Sequence, residues 1–360
     1  MESYDSWPLI EKYKDLNISN NLKSIGNKGI SFMNFLPASN STMNSFASIV
    51  TNIPYSGVNM SIIGANKSYP SSIFKQFKTL GYQTNFFYGG YLSWQNIKNF
   101  TKKQGVENVF GAGNIGGSKG IWGVNDESLF EKVLAKVDDQ KNSLNIILTT
   151  SYHSPYEIDV FSKGFPYSSK EELPYKLRKI YNEDNLSIKT LGHIWYADMA
   201  IGKFVNKAEK KYPNALFAFT GDHFGRKFIN GSPTLYESSS VPFILYGKSI
   251  VGKSESNCNP GSHIDIAPTL IELVAPSNFT YYSFGNSLLN NKRKNKLGIG
   301  YNKVINSNQI SEFSKNYGIK KQSINSCTQK NDLLFEGNKR EHDSLMSLAW
   351  HYVTNGDCLD

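Results

Sequence analysis

A doubly wound α/β fold is what this 360-residue chain predicts, on three observations. Short apolar runs alternate with longer segments of helical period, the pattern of a mostly parallel sheet with helices on its faces. Chemistry-bearing residues cluster just after the apolar runs, where open α/β sheets place their sites. Hydrophobic residues make up 39% of the chain, enough at this length for one large core, or for a core plus a small appendage.

In chain order, strands are predicted at 83–88, 144–149, 215–220 and 242–246; each is compact, apolar or aromatic, and followed by glycine or polar residues. Helices are predicted at 70–80, 126–137, 185–211 and 265–274, with Pro70 and Pro268 near helix starts, where a missing N–H costs little. Within 185–211, Leu186, Leu191, Ile194, Tyr196, Ala197, Ile201 and Phe204 fall near helical spacing and read as core. The segment 154–184 is polar, Tyr-rich and weakly periodic; it reads as a long loop or insertion over the site, of the kind that acts as a lid. From about residue 290 the chain turns Lys/Asn-rich and then ends in a helical stretch at 341–352. This gives a main domain over 1–290 and a small C-terminal subdomain or helical extension over 291–360.

Composition narrows the function classes. A net charge of +9 favours anionic partners, phospholipid head groups among them. The lysines are scattered and form no basic stripe interleaved with aromatics, which argues against nucleic acid. Cys258, Cys327 and Cys358 make no metal-binding pattern and allow one disulfide with one thiol left over. No run approaches the roughly 20 apolar residues of a membrane span, and the polar, acidic start Met1-Glu2-Ser3-Tyr4-Asp5-Ser6 shows no signal peptide.

Five dispersed residues carry the functional reading: Glu2, Thr42, His153, Asp222 and His223. Together they can supply one hard metal ion, one hydroxyl nucleophile and one substrate-binding imidazole, a set suited to transferring a charged ester group such as a phosphoryl. Asp222-His223 follows the strand at 215–220, so an adjacent carboxylate and imidazole stand at a strand tip. Oxygen plus nitrogen suits Mn²⁺ or Zn²⁺ better than Ca²⁺; an Asp capping a turn beside a hydrogen-bonded His is the structural alternative. Arg226 closes the same segment and joins the candidate substrate-binding residues. Ser41-Thr42 enters a helix, where free N–H groups stabilise anions and a metal-activated hydroxyl can attack phosphorus; a plain N-cap is the commoner role of such residues. His153 ends the strand at 144–149 and can hydrogen-bond a phosphoryl oxygen or protonate a leaving group, or be a surface histidine. His193 reads as structural, and His263 as a cap of the helix that follows it.

Taken in order, these segments resemble the lipoteichoic acid synthase and phosphoglycerol transferase family, a sulfatase-like branch of the alkaline phosphatase superfamily. The resemblance covers roughly 1–290. It rests on Glu2-Ser3-Tyr4, Ser41-Thr42, Tyr88-Gly89-Gly90, Trp122-Gly123-Val124, His153-Ser154-Pro155, Gly221-Asp222-His223 and Ile264-Asp265-Ile266-Ala267-Pro268-Thr269. It implies a three-layer α/β/α alkaline-phosphatase-like fold with a mostly parallel central sheet and a small C-terminal element. It also implies one divalent cation on Glu2, Thr42, Asp222 and His223, Mn²⁺ first, with Zn²⁺ or Mg²⁺ as alternatives. Thr42 is then the nucleophile and forms a covalent phosphoglycerol intermediate, with His153, Trp94 and Asn96 in the substrate pocket.

The implied donor is an anionic phospholipid, and the acceptor a glycan or glycerol phosphate, at a membrane surface on the extracytoplasmic face of a bacterial membrane or in the periplasm. The alternatives are a phosphoethanolamine transferase, a phosphodiesterase or other sulfatase-like hydrolase, and an inactive remnant that binds head groups or glycans. A formylglycine sulfatase needs a Cys/Ser-x-Pro/Ala-x-Arg motif; Cys258-Asn259-Pro260-Gly261-Ser262 lacks the Arg and falls far too late in the chain. The resemblance further implies a buried strand just before the glutamate, usually behind membrane helices. Only Met1 precedes Glu2, so the chain reads as a truncated product or partial gene, with Glu2 expected on a frayed terminus.

Overall fold

The computed structural model describes residues 1–63, 66–117, 119–250, 255–257, 259–290, 297–314, 318–324 and 335–356. Cys258, Cys327 and Cys358, and hence any disulfide, lie outside the described residues. Two groups of strands form the central layer. In chain order these strands are β1 (Ile30–Phe32), β2 (Gln83–Tyr88), β3 (Asn108–Phe110), β4 (Ser143–Leu148), β5 (Leu216–Thr220), β6 (Phe243–Gly247) and β7 (Glu255–Asn257). β2 lies between β3 and β4, parallel to both. β1 pairs in parallel with β7, and β6 runs antiparallel between β1 and β5. The layer is thus mostly parallel, with β6 the reversed strand.

Helices cover both faces: α1 (Asn20–Lys28), α2 (Thr42–Thr51), α3 (Ile73–Thr79), α4 (Ile97–Lys103), α5 (Asp126–Lys136), α6 (Ile188–Lys211) and α7 (Ile266–Val274). The period-two geometry of strands sorts the core. Phe86 and Tyr88 of β2 pack with α2, α3, α4 and α7, while Phe87 between them packs with α1, α5 and α6. Likewise Ile244 and Tyr246 of β6 face the α1–α6 side, and Phe243 and Leu245 face α7. This is the expected three-layer α/β/α architecture. The predicted strands agree with β2, β4, β5 and β6 to within one residue, and the four predicted helices start within about three residues of α3, α5, α6 and α7.

Local chemistry sets the helix ends. Asn125 caps α5 by accepting the Ser128 N–H at 2.8 Å, and Asp126 and Glu127 sit in its first turn, where the helix dipole favours negative charge. Ser187 caps α6 by accepting the Thr190 N–H at 3.1 Å.

Two expectations change. The segment 154–184 is anchored: Val160, Phe165, Leu173 and Leu177 bury in the same core cluster as α6. Lys163 from this segment and Lys203 from α6 both pair with Glu127, at 2.7 and 2.9 Å. The C-terminal region adds four antiparallel strands, β8 (Gly298–Gly300), β9 (Lys303–Ile305), β10 (Gln309–Ser314) and β11 (Gly318–Ser323), before the final helix α8 (Phe335–Asn355). α8 includes the expected 341–352 and buries Ala349 and Val353 against the α2–α3 side of the main core.

Candidate active site

The carboxyl ends of β4 and β5 and the amino end of α2 meet at one point. Met1 and Glu2 are not frayed there. The Met1 amine donates to the Thr220 carbonyl at 2.8 Å, the Asp222 N–H donates to the Met1 carbonyl at 3.0 Å, and the Glu2 N–H donates to Thr149 Oγ1 at 2.9 Å. Glu2 is 4% exposed as a result. Gly221 makes this approach feasible: a Cβ on it would lie 2.0 Å from the Tyr4 carbonyl oxygen, so any side chain there would push the amino-terminal segment off the strand end.

Glu2, Asp222 and His223 are all buried, and one ligand atom from each falls within 4.8 Å of the others. His223 Nε2 lies 3.9 Å from Glu2 Oε1 and 3.7 Å from Asp222 Oδ2. His223 Nδ1 donates to the Phe224 carbonyl at 2.8 Å, which fixes the tautomer and leaves the Nε2 lone pair facing the carboxylates. Asp222 Oδ1 accepts N–H bonds from Ser3 at 2.7 Å and His223 at 2.8 Å, while Asp222 Oδ2 is buried with no hydrogen-bond partner among the described residues. Burial and, after it, the Asp222 charge push the Glu2 carboxyl well above the usual range. Two adjacent buried carboxylates, an orphaned oxygen and an aimed imidazole nitrogen form a donor set that fits a divalent cation.

Thr42 stands inside this cluster. Its Oγ1 is 3.3 Å from Glu2 Oε2 and 3.2 Å from His223 Nε2. It is the first residue of α2; Ser41 holds the N-cap position with extended backbone and no side-chain cap bond, so Thr42 is not spent on capping. The cluster of Glu2, Asp222, His223 and Thr42 has the makeup of a metal-assisted phosphotransfer site.

The other expected residues take distinct places. His153 is half-buried, donates from Nδ1 to the Ser154 carbonyl at 2.7 Å and packs on Trp122 with ring centroids 4.1 Å apart. Trp94 packs 6.1 Å from Tyr88. The Asn96 amide is engaged with the Ser61 carbonyl at 3.1 Å and with Asn99 at 2.8 Å. Arg226 is exposed and donates to the Asn40 carbonyl at 2.5 Å, tying the His223 loop to the Thr42 loop. His193 is structural, accepting the Ile158 N–H and donating to the Lys189 carbonyl.

Several contributors escape sequence reasoning. Tyr88 is buried beside the cluster, and burial, then the Glu2 and Asp222 charges, push its phenol upward. Asp126 accepts the Thr150 and Ser151 N–H groups and so shapes the turn that leads to His153. Asp5, buried next to Gly225, accepts its N–H at 2.8 Å and steadies the loop after His223.

His263 is not the helix cap expected of it; Ser262 and Asp265 make that capping box. Instead, its Nδ1 accepts the Ala38 N–H at 3.2 Å and its Nε2 donates to the Gly221 carbonyl at 2.8 Å. One neutral imidazole thus joins the loop before Thr42 to the loop before Asp222. Burial depresses its pKa from 6.5 to about 4. Between those values the unfolded state binds a proton that the native state does not, so stability rises with pH across the window and acidification to pH 4 costs about 3 kcal/mol. Denaturant unfolding of wild type and His263→Gln at pH 6.5 and pH 4 checks this: the variant should be less stable at pH 6.5 and lose that share of the acid slope. Equal slopes would mean that His263 is not buried neutral.

Comparison with known proteins agrees with this geometry. The sequence model of the sulfatase family matches residues 9–276, most of the chain. The chain belongs to the sulfatase family. A lipoteichoic acid synthase-like protein of Bacillus subtilis, YvgJ, is 22% identical over 315 residues, covering 81% of this chain and 49% of its own. Among solved structures, the lipoteichoic acid synthase LtaP of Listeria monocytogenes superimposes with a TM-score of 0.78 at 18% identity, covering 99% of this chain and 91% of that one. An alkaline phosphatase superfamily protein of Vibrio parahaemolyticus gives 0.74 at 21% identity, over 99% and 86%. These likenesses establish the sulfatase and alkaline phosphatase superfamily fold. The chain spans half or less of the length of the curated relatives it matches. Among the described residues no helix is long and apolar enough to cross a membrane.

Proposed function

We propose that this sulfatase-family chain is a metal-dependent phosphoglycerol transferase that works through a covalent Thr42 intermediate. The observation that carries the reading is the Thr42 hydroxyl at a helix amino end, within 3.3 Å of both Glu2 and His223. The likeness to lipoteichoic acid synthases supports the choice of group transferred.

Glu2, Asp222 and His223, with Thr42, would hold one divalent cation, and the mixed oxygen and nitrogen set favours Mn²⁺, with Zn²⁺ or Mg²⁺ as substitutes. Such a cation lowers the pKa of the threonine hydroxyl and offsets charge on phosphoryl oxygens. Thr42 Oγ1 loses its proton and bonds to phosphorus of an anionic phospholipid, the bond from phosphorus to the diacylglycerol oxygen breaks, and that oxygen takes up a proton. A hydroxyl of a glycan or glycerol-phosphate acceptor then bonds to phosphorus, gives up its proton, and Thr42 leaves and is reprotonated. Two in-line displacements retain configuration at phosphorus.

With Thr42 as nucleophile at the first position of α2, the amide groups of that first turn would face the phosphoryl charge as it develops. His153, with Nδ1 held by Ser154, offers Nε2 to a phosphoryl oxygen or leaving group. Trp94, Asn96 and Arg226 line the way for the head group. Such a donor calls for a membrane surface, and the likeness to lipoteichoic acid synthases supports the extracytoplasmic face.

Incubation with Mn²⁺ and a mixture of phosphatidylglycerol and phosphatidylethanolamine, followed by intact-protein mass spectrometry and peptide fragmentation, tests the proposal. A phosphoglycerol adduct on Thr42 is the expected result. A phosphoethanolamine adduct would replace the donor assignment, and an adduct on another residue would overturn the nucleophile.

A further inference from the structure

Among the described residues the most exposed large aliphatic side chains are Ile62, Ile63 and Ile121, each 64% exposed; Tyr91 is 40% exposed. These four residues belong to three separate turns, yet the turns form one rim. The Asn96 amide donates to the Ser61 carbonyl at 3.1 Å and the Asn59 amide to Gln95 Oε1 at 3.3 Å, which ties the 59–63 turn to the Trp94 turn. The Trp94 N–H donates to the Tyr91 carbonyl at 3.0 Å, and the Tyr91 hydroxyl donates to the Gly120 carbonyl at 3.2 Å. Ile121 and Trp122 follow Gly120 directly, and the Trp122 ring packs on His153.

The rim lies at the same end of the sheet as the candidate active site. Tyr91 follows β2 by way of Gly89-Gly90. The Gly89 N–H donates to the Leu148 carbonyl at the end of β4, and the Val124 N–H donates to the Gly89 carbonyl at 2.8 Å. A Cβ on Gly123 would lie 2.1 Å from that carbonyl oxygen, so the hairpin of residues 119–124 seats directly on the loop after β2. Apolar side chains are thus held out into solvent on braced turns, on the His153 side of the site. Single exposed hydrophobics are ordinary, but a rim of them beside a site marks a contact surface.

The charge of the chain is concentrated in the same stretch. From Leu16 to Asn125, which includes every turn of the rim, nine lysines stand against one carboxylate, Glu107, a surplus of eight out of the +9 of the whole chain. Lys98 is exposed on the first turn of α4, two residues from Asn96. A field of one sign around apolar tips suits an anionic lipid surface. It does not suit the core of a protein interface, which is depleted of charge, because Asn59, Gln95 and Lys98 alternate with the apolar residues of the rim.

We propose that this rim is a membrane-docking edge. Ile62, Ile63 and Ile121 insert at the boundary between head groups and acyl chains of an anionic bilayer, and Tyr91 sits at head-group level with its ring apolar and its hydroxyl polar. The lysine-rich stretch around them draws the edge to the surface. Docked this way, the His153 side of the site opens onto the head groups, and a lipid reaches Thr42 without leaving the bilayer by its full length. The consequence for turnover rests on the phospholipid donor proposed above; the docking edge itself rests on exposure and charge.

Co-sedimentation with vesicles of phosphatidylserine and phosphatidylcholine, which contain no phosphoglycerol donor, tests the edge. The proteins are wild type, Ile62→Ser/Ile63→Ser, Ile121→Ser, Lys98→Glu and, as a control outside the rim, Tyr282→Ser, at a residue 68% exposed. All these positions are exposed, so Tm should stay within about 2 °C of wild type; if one isoleucine variant loses the fold, the other decides. The isoleucine variants should bind at least about tenfold more weakly and Lys98→Glu about fivefold, with Tyr282→Ser like wild type. Wild-type binding should fall at least about tenfold between roughly 0.05 and 0.5 M NaCl. Wild type that ignores the vesicles, or isoleucine variants that bind as it does, would overturn the docking edge. So would light scattering that shows an oligomer dispersed by the isoleucine substitutions, since the rim would then be a protein interface. Activity separates this proposal from the one for Thr42. The isoleucine variants should lose about tenfold on vesicle-borne phosphatidylglycerol and stay within about twofold of wild type on a dissolved short-chain phosphatidylglycerol. Equal loss on both donors would place the isoleucines in the site and not at the membrane. Wild type that transfers from neither donor would count against the phosphoglycerol reading, and vesicle binding would still decide the edge.

Discussion

Replacing Thr42 by alanine is expected to cut turnover by at least about 10³-fold with little change in the fold. Thr42 is half-exposed at the first position of α2, and Ser41, not Thr42, holds the N-cap place, so losing the hydroxyl and methyl removes neither a cap nor a core contact. Stability should stay within about 1 kcal/mol of wild type. Thr42→Ser keeps the oxygen and should retain measurable transfer and adduct formation, which separates a nucleophile from a residue that merely fills space. Initial rates on a fluorescent phosphatidylglycerol and intact mass for all three proteins give the answer. An alanine variant with a tenth or more of wild-type activity would remove Thr42 from the chemistry.

Asp222→Asn is expected to have opposite effects with and without the cation. The amide oxygen can keep the two bonds from the Ser3 and His223 N–H groups, so the architecture survives. Without a cation, the substitution removes one of two neighbouring buried carboxylates, and the variant should melt at or above wild type. With Mn²⁺ at about 100 times its dissociation constant, wild type should gain about 2.7 kcal/mol. The variant should show almost none of that gain and bind at least about 100-fold more weakly, with turnover lost in parallel. Calorimetric titration and melting curves over a Mn²⁺ series distinguish the cases. A full cation-dependent shift in Asp222→Asn would mean that the ion sits elsewhere.

Much of this architecture is legible in the sequence because its signals are local. The apolar runs at β2, β4, β5 and β6 are short and sharply bounded, and Asp222-His223 and Thr42 stand at a strand tip and a helix start. Glu2 has no such local signal; only the resemblance points to it, and its burial depends on bonds to residues more than 140 positions away. The bridging role of His263 is hidden for the same reason, since Ala38 and Gly221 are distant in sequence. The reversed direction of β6 cannot be read from a strand pattern, because period-two alternation carries no polarity. Of the strands after residue 297, β8 and β9 are buried but only three residues long, too short for a period-two signal, while β11, Gly-Ile-Lys-Lys-Gln-Ser, is almost wholly exposed and pairs through backbone rather than through an apolar face.

The two carboxylates of the candidate cation site come from residues 2 and 222, so an ion shared by Glu2 and Asp222 would act as a clasp across a loop of some 220 residues. With the clasp open, the amino-terminal tether relies on a few hydrogen bonds at the edge of a cavity, and local opening there takes less free energy than global unfolding. Hydrogen exchange at the backbone amides of residues 2 to 5 therefore becomes a gauge of site occupancy that needs no substrate: fast when the ion is chelated, slow when it is bound. The segment that carries Glu2 is both a wall of the site and its indicator.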